Sequence, residues 1–149
     1  MDYFIHNAGS PNGVIDGGIP VFAAGNEYAG NPAFPGAYSK CVCVASVAAD
    51  YTPACYTDYG TLVTLSAPGG DLEYYGKIGE EEDEYWAETA EQKGAVLSTL
   101  IQNGKPAYGY MEGTSMACPH VSGVAALGLA YAVKQHRHSR AADVGSLIQ

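Results

Sequence analysis

Three short, uninterrupted apolar runs constrain this chain more than any other feature: Ile19-Pro-Val-Phe-Ala-Ala24, Val42-Cys-Val-Ala-Ser-Val47 and Leu62-Val-Thr-Leu65. A strand with one face in water alternates apolar and polar residues, whereas a strand covered on both faces stays apolar throughout. The runs therefore predict parallel strands near 19–24, 42–47 and 62–65, set between Pro- and Gly-rich loops such as 31–38 and 68–70. Two further runs, 95–101 and 107–111, flank Asn103-Gly104, a dipeptide that favours the tight turn of a β-hairpin. From Thr114 to about Lys134 the chain is rich in Ala, Leu and Val, with Gly123 and Gly128, which predicts a closely packed core helix across about 114–133. Residues 2–7 are spaced like the last turns of another helix, which Gly9, Pro11, Asn12 and Gly13 then end. Together these elements predict an α/β fold, a parallel sheet covered by helices with a hairpin ahead of the last helix.

With 149 residues, 47% of them hydrophobic and 15% charged, the chain has the balance of one folded domain. A domain seldom starts inside a helix, so residues 2–7 lead us to expect further sequence upstream. The formal net charge is −9, and much of it falls within 71–93. That stretch reads as a solvated surface insertion with a short helix near 85–93, because like charges so close repel and seek water. The Lys and Arg residues are scattered, so neither nucleic acid nor an anionic membrane surface is expected as a partner. No apolar run approaches the roughly 20 residues that span a bilayer, and residues 1–20 lack the pattern of a signal peptide. The compartment is thus unmarked. Cys41, Cys43, Cys55 and Cys118 read as small buried residues, not as a disulfide framework or, with His120, a metal site.

Tyr110-Met-Glu-Gly-Thr-Ser115-Met-Ala-Cys-Pro-His-Val-Ser-Gly123 places a serine between small residues where an extended run turns into a helix. There the hydroxyl would sit among unpaired N–H groups at the positive end of the helix dipole, which favours developing negative charge. Taken alone, Thr114 or Ser115 is more simply an N-cap, the ordinary role of such residues at a helix start. A second segment, Ala23-Ala-Gly-Asn-Glu27, shifts that balance. The two segments resemble, in family order, the oxyanion and nucleophile segments of the subtilisin family of serine proteases. Between them, Phe34-Pro-Gly-Ala-Tyr38 with 42–47 and Ser66-Ala-Pro-Gly69 resemble further family elements. Ala54-Cys-Tyr-Thr-Asp-Tyr-Gly60 resembles the family's Ala-Ser-Phe-Ser-Asn-Tyr-Gly. The similarity covers most of residues 19–133 outside the acidic stretch, and it reads residues 1–149 as the C-terminal part of one such catalytic domain.

The resemblance implies a serine endopeptidase acting on peptides or proteins, with Ser115 as nucleophile. The Asn26 side-chain amide and the Ser115 backbone N–H would form the oxyanion hole. Ala23, Ala24 and Gly25 would line one side of the pocket for the substrate residue before the cut, with Ala33 at its floor. No cofactor is implied. A weak cation site in many relatives uses backbone oxygens near Gly36, Tyr38 and Cys41 with an acidic side chain, but the matching position is Thr64, so no strong metal site is expected. The family suggests a secreted or cell-envelope protein.

A serine hydroxyl needs a base to take its proton, and that base is normally oriented by a third group. His120 lies five residues past Ser115, roughly 500° around and about 7.5 Å along a helix, so its ring should point away. His136 and His138, beside Arg137, suit the dipole at the helix's far end. His6 sits in the first helix. Asp16-Gly17-Gly18 superficially resembles the family's aspartate motif, but a Gly/Pro/Asn loop precedes it and it reads as a turn. In the family the aspartate and histidine come before the serine. Both are therefore expected upstream of Met1, and the chain alone is expected to be inactive. The alternative is a non-catalytic binding module that keeps the fold. An α/β-hydrolase esterase, suggested by Gly113-Thr-Ser-Met-Ala117, needs an acid ahead of its histidine, yet Asp143 follows both His136 and His138. Because half a covered sheet exposes an edge and apolar faces, the isolated chain is expected to associate with another copy.

Overall fold

Strand β3, Val42–Val47, is buried over its first five residues because both of its faces are covered. Its side chains alternate between two apolar clusters. Val42 and Val44 join Ala67, Ala117 and Val121 on one face, while Cys43 and Ala45 join Ala24 on the other, with Val63 packed against them. In a computed structural model that describes residues 1–9, 13–73, 94–135 and 137–140, β3 is the centre of a three-stranded parallel sheet. β2, Val21–Ala23, pairs along one side with Val21 opposite Val42, and β4, Leu65–Pro68, along the other with Val44 opposite Leu65.

The first and second predicted strands are where the apolar runs placed them. The third is shifted from 62–65 to Leu65–Pro68. A turn closed by the Val63 N–H on the Gly60 carbonyl takes up 61–63, so pairing with β3 begins only when the Thr64 N–H reaches the Cys43 carbonyl at 2.9 Å. The hairpin forms as predicted, β5, Val96–Gln102, antiparallel to β6, Lys105–Met111. Asn103 and Gly104 both take positive φ, 51° and 75°, the conformation this dipeptide tolerates.

Helix α1, Asp2–Asn7, and helix α2, Thr114–Lys134, also match their predicted ranges. α2 lays a stripe of Thr114, Ala117, Val121 and Ala125 on the sheet. Pro119 lies inside the helix without ending it, although its missing N–H forgoes the bond to the Ser115 carbonyl. Contrary to the sequence expectation, the 21-residue helix holds an 18-residue stretch with a mean hydropathy of 1.4, long and apolar enough to cross a membrane by length and composition. Its Ser, Thr, Pro and His residues divided that run in the sequence, and it packs on the sheet along one stripe only.

Three further expectations are modified. Asp16 is not a turn residue but the end of β1, Ile15–Asp16, which pairs in parallel with β7, Ser139–Arg140. Cys55 is exposed, unlike buried Cys41 and Cys43. Partial desolvation and hydrogen bonds to the Glu73 and Asp71 carboxylates push its thiol up to about 12, so it stays protonated. Asp71, the first residue of the acidic stretch, is buried and accepts the Cys55 N–H. The predicted helix near 85–93 lies outside the described residues.

Candidate active site

Gly113 begins the site. Its φ of 143° is one that a side chain disfavours, and it lets the hairpin's last strand turn into α2 within two residues. Its N–H donates to the Gly69 carbonyl at 2.9 Å, and its carbonyl accepts the Met116 and Ala117 N–H groups. Ser115, one residue inside the helix, is exposed. Its backbone N–H belongs to the first turn, where no carbonyl of the helix can reach it.

Thr114 does not cap the helix, and no side chain does. It is 1% exposed and reaches sideways. Its backbone N–H and its hydroxyl both donate to Asn26 Oδ1 at 2.9 Å, and the hydroxyl accepts the Gly25 N–H at 3.2 Å. Two donors on one oxygen fix which way the Asn26 amide faces, so its Nδ2 is turned away from Thr114. The point where a side chain at Gly113 would begin lies 3.6 Å from Asn26 Nδ2 and 3.7 Å from the Ser115 nitrogen. The two N–H donors therefore border one small space, kept open because residue 113 is glycine.

The expected pocket residues are dispersed around this loop. Gly25 precedes Asn26 and is partly exposed, as is Ala23 at the end of β2, and Ala33 is exposed. Ala24 is wholly buried in the second apolar cluster. The Ala33 N–H donates to the Ala24 carbonyl at 2.7 Å, which holds 33 beside 24. A cavity of about 280 Å³ opens between β5 and the first turns of α2, lined by Val96, Leu97, Ser98, Met116, Pro119 and His120.

At the cation position, the Thr64 hydroxyl accepts the Cys43 N–H at 3.0 Å and lies 3.5 Å from the Cys41 carbonyl. A neutral hydroxyl already occupied in this way is a poor substitute for a carboxylate ligand. The Tyr38 carbonyl accepts the Cys41 N–H, and Gly36 is buried.

Among the described residues the Ser115 hydroxyl makes no hydrogen bond. His120 Nδ1 donates to the Met116 carbonyl at 2.8 Å, folding its ring back on its own helix as anticipated, and His6 does the same to Asp2. His138 donates from Nδ1 to the Gly13 carbonyl and from Nε2 to Asp16 Oδ2, each at 3.0 Å. Asp16 and His138, discounted separately in the sequence, thus form a pair, but beyond the far end of α2, roughly 30 Å along the helix from Ser115. His136 is outside the described residues.

Sequence reasoning missed two residues of the site. Thr114 looked like a cap, and its bonds to residues 88 and 89 positions away leave no local signature. Asp58, 2% exposed, accepts the Glu27 and Ala29 N–H groups on one oxygen at 3.0 and 2.8 Å. Its only sequence signal was a carboxylate where the matching family element has asparagine.

Halolysin of Haloferax mediterranei is 33% identical over 133 residues, which cover 85% of this chain and 21% of that protein. A halolysin-like extracellular serine protease of Natrialba magadii is 29% identical over 87% of this chain and 20% of its own. The solved structure of a protease from Pseudoalteromonas arctica superposes with a TM-score of 0.64 at 33% identity, over 86% of this chain and 34% of that one. The chain thus spans about a fifth of the length of these curated relatives. The family model described as the Subtilase family matches residues 5–144, and the chain belongs to that family.

Proposed function

We propose that this chain is the nucleophile-bearing part of a serine endopeptidase that hydrolyses peptide bonds through an acyl-enzyme on Ser115. The observation that carries the reading is the Thr114 clamp, which turns the Asn26 amide toward the space beside the Ser115 N–H. When the Ser115 hydroxyl oxygen attacks a peptide carbonyl, the carbonyl oxygen becomes negative. Asn26 Nδ2 and the Ser115 N–H would donate to it. A neutral amide already fixed in place stabilises that charge without reorganising or exchanging a proton. The proton from the hydroxyl would pass through a base to the leaving amine, and water would then cleave the ester.

His6, His120 and His138 are each engaged elsewhere, so the base and its orienting acid would come from outside the described residues. Ala23, Gly25 and Ala33 would border the substrate, with buried Ala24 contributing through its backbone. The natural substrate would be a peptide or protein. Several of the relatives are named extracellular proteases, which supports a secreted setting. Because α2 leaves Val124, Leu127 and Tyr131 exposed, the isolated chain would also self-associate, and light scattering showing a monomer at micromolar concentration would count against that.

A second reading, a non-catalytic module that keeps the fold for binding, is consistent with a Ser115 hydroxyl that has no hydrogen bond among the described residues. A fluorophosphonate probe at neutral pH separates the two. The 149-residue chain alone should stay unlabelled. A longer protein containing it should be labelled at Ser115 and lose the label with Ser115→Ala. A folded longer protein that resists the probe would support the binding module, and stoichiometric labelling of the short chain would show that it contains its own base.

A further inference from the structure

We infer that residues 54–60 are a positioning strut for both anion-facing donors, with Asp58 setting the Asn26 loop and Tyr56 setting the start of α2. The inference rests on the reading of Asn26 and Ser115 as a donor pair and adds what holds that pair in register.

On one side, Asp58 grips the Asn26 loop before and after that residue. Its own N–H donates to the Gly25 carbonyl at 3.1 Å, and its Oδ1 accepts the Glu27 and Ala29 N–H groups. The Asp58 carboxylate packs so closely that a side chain on Gly25 would begin 2.1 Å from Oδ2. Backbone bonds reinforce the contact, since the Tyr28 N–H donates to the Tyr56 carbonyl and the Tyr59 N–H to the Ala29 carbonyl. Bonds to a buried carboxylate are among the stronger ones available to a backbone N–H.

On the other side, the Tyr56 hydroxyl donates to the Gly70 carbonyl, lies 3.2 Å from the Gly69 carbonyl oxygen and meets Ser46 Oγ at 2.9 Å. The Gly69 carbonyl is the acceptor for the Gly113 N–H, so Tyr56 braces the turn on which α2 begins. Ser46 is fully buried, and its hydroxyl depends on Tyr56 for the side-chain partner it has. The family element that this segment resembles has Phe and Asn where this chain has Tyr56 and Asp58.

Amide exchange and side-chain resonances of the 15N-labelled 149-residue chain test the strut without requiring peptidase activity. The strut and the endopeptidase reading can therefore fail separately. Asp58→Ala should speed exchange of the Glu27 and Ala29 amides about tenfold, the factor set by losing one such hydrogen bond. It should also shift the Asn26 side-chain NH₂ signals. Asp58→Asn keeps the accepting oxygen and should restore most of the protection. Tyr56→Phe should give the opposite footprint, with faster exchange at Gly113, a shifted Ser115 amide, and Glu27 and Ala29 unchanged. Equal acceleration of both segments by either variant would mean general loosening and would overturn the proposal, as would Asn26 and Ser115 signals that do not move. Should Asp58→Ala not fold, the contrast between Asp58→Asn and Tyr56→Phe decides by the same criterion.

Discussion

At its first turns α2 buries Thr114, Ala117 and Val121 to 1%, 0% and 4% exposure, and hydrogen bonds tie it to Gly25, Asn26 and Gly69. Farther along the same helix, Val124, Leu127 and Tyr131 stand 61%, 72% and 63% exposed. Past its end, the described contact to the start of the chain is the exposed His138–Asp16 pair together with β1 and β7. A helix apolar all round normally has cover all round, and here only the stripe facing the sheet has it. The geometry around Ser115 therefore depends on the sheet side and the strut at 54–60, and it should be insensitive to what happens on the open side.

The most severe way to break the contrast is at the closed end. In Gly69→Ala the new methyl would sit 2.2 Å from Ser46 Oγ and 2.6 Å from the Gly113 carbonyl oxygen. The second of these is backbone, which cannot swing aside. Urea unfolding should show a loss of about 3 kcal/mol, at the upper end of overpacking costs. Thr114→Val keeps the shape but removes the hydroxyl that serves Gly25 and Asn26. The same measurement should give a loss of about 2 kcal/mol, because a part-buried N–H is left unpaired. The Asn26 side-chain signals should broaden or shift.

The open half should respond with the opposite sign. A side chain at Gly123 meets nothing within 4 Å, so Gly123→Ala should stabilise the chain by up to about 1 kcal/mol through helix propensity alone. A loss instead would mean that a partner already occupies that face. The smallest effect concerns His138, whose hydrogen bond to Asp16 raises its pKa above the ordinary imidazole value. Both ring nitrogens face acceptors, so the protonated form is the one favoured by folding. Its contribution is complete below the free imidazole value of about 6.5 and is lost as pH rises through the raised folded value. NMR titration should find that midpoint lowered by Asp16→Asn, while the Gly113–Ser115 amides stay unchanged over the same range.

Much of the fold was legible because it rests on local pattern. Unbroken apolar runs gave β2 and β3, Asn103-Gly104 gave the hairpin, and the Ala-rich run gave α2. Strand β4 was misplaced by three residues because the turn after Gly60 is set by a hydrogen bond within the loop, not by hydropathy. Of the site, Ser115 and Asn26 stood out through their motifs.

The remaining parts depend on contacts between distant positions. Sequence alone determined most of the longer secondary elements and the family resemblance, because periodicity and ordered motifs are carried by neighbouring residues. Tertiary structure decided that Thr114 orients Asn26, that Asp58 and Tyr56 brace the two segments, and that Asp16 meets His138. Each of these is a hydrogen bond made across at least 10 positions. Its energy depends on an approach of about 3 Å that no local pattern encodes, and the packing of α2 on the sheet supplies that approach.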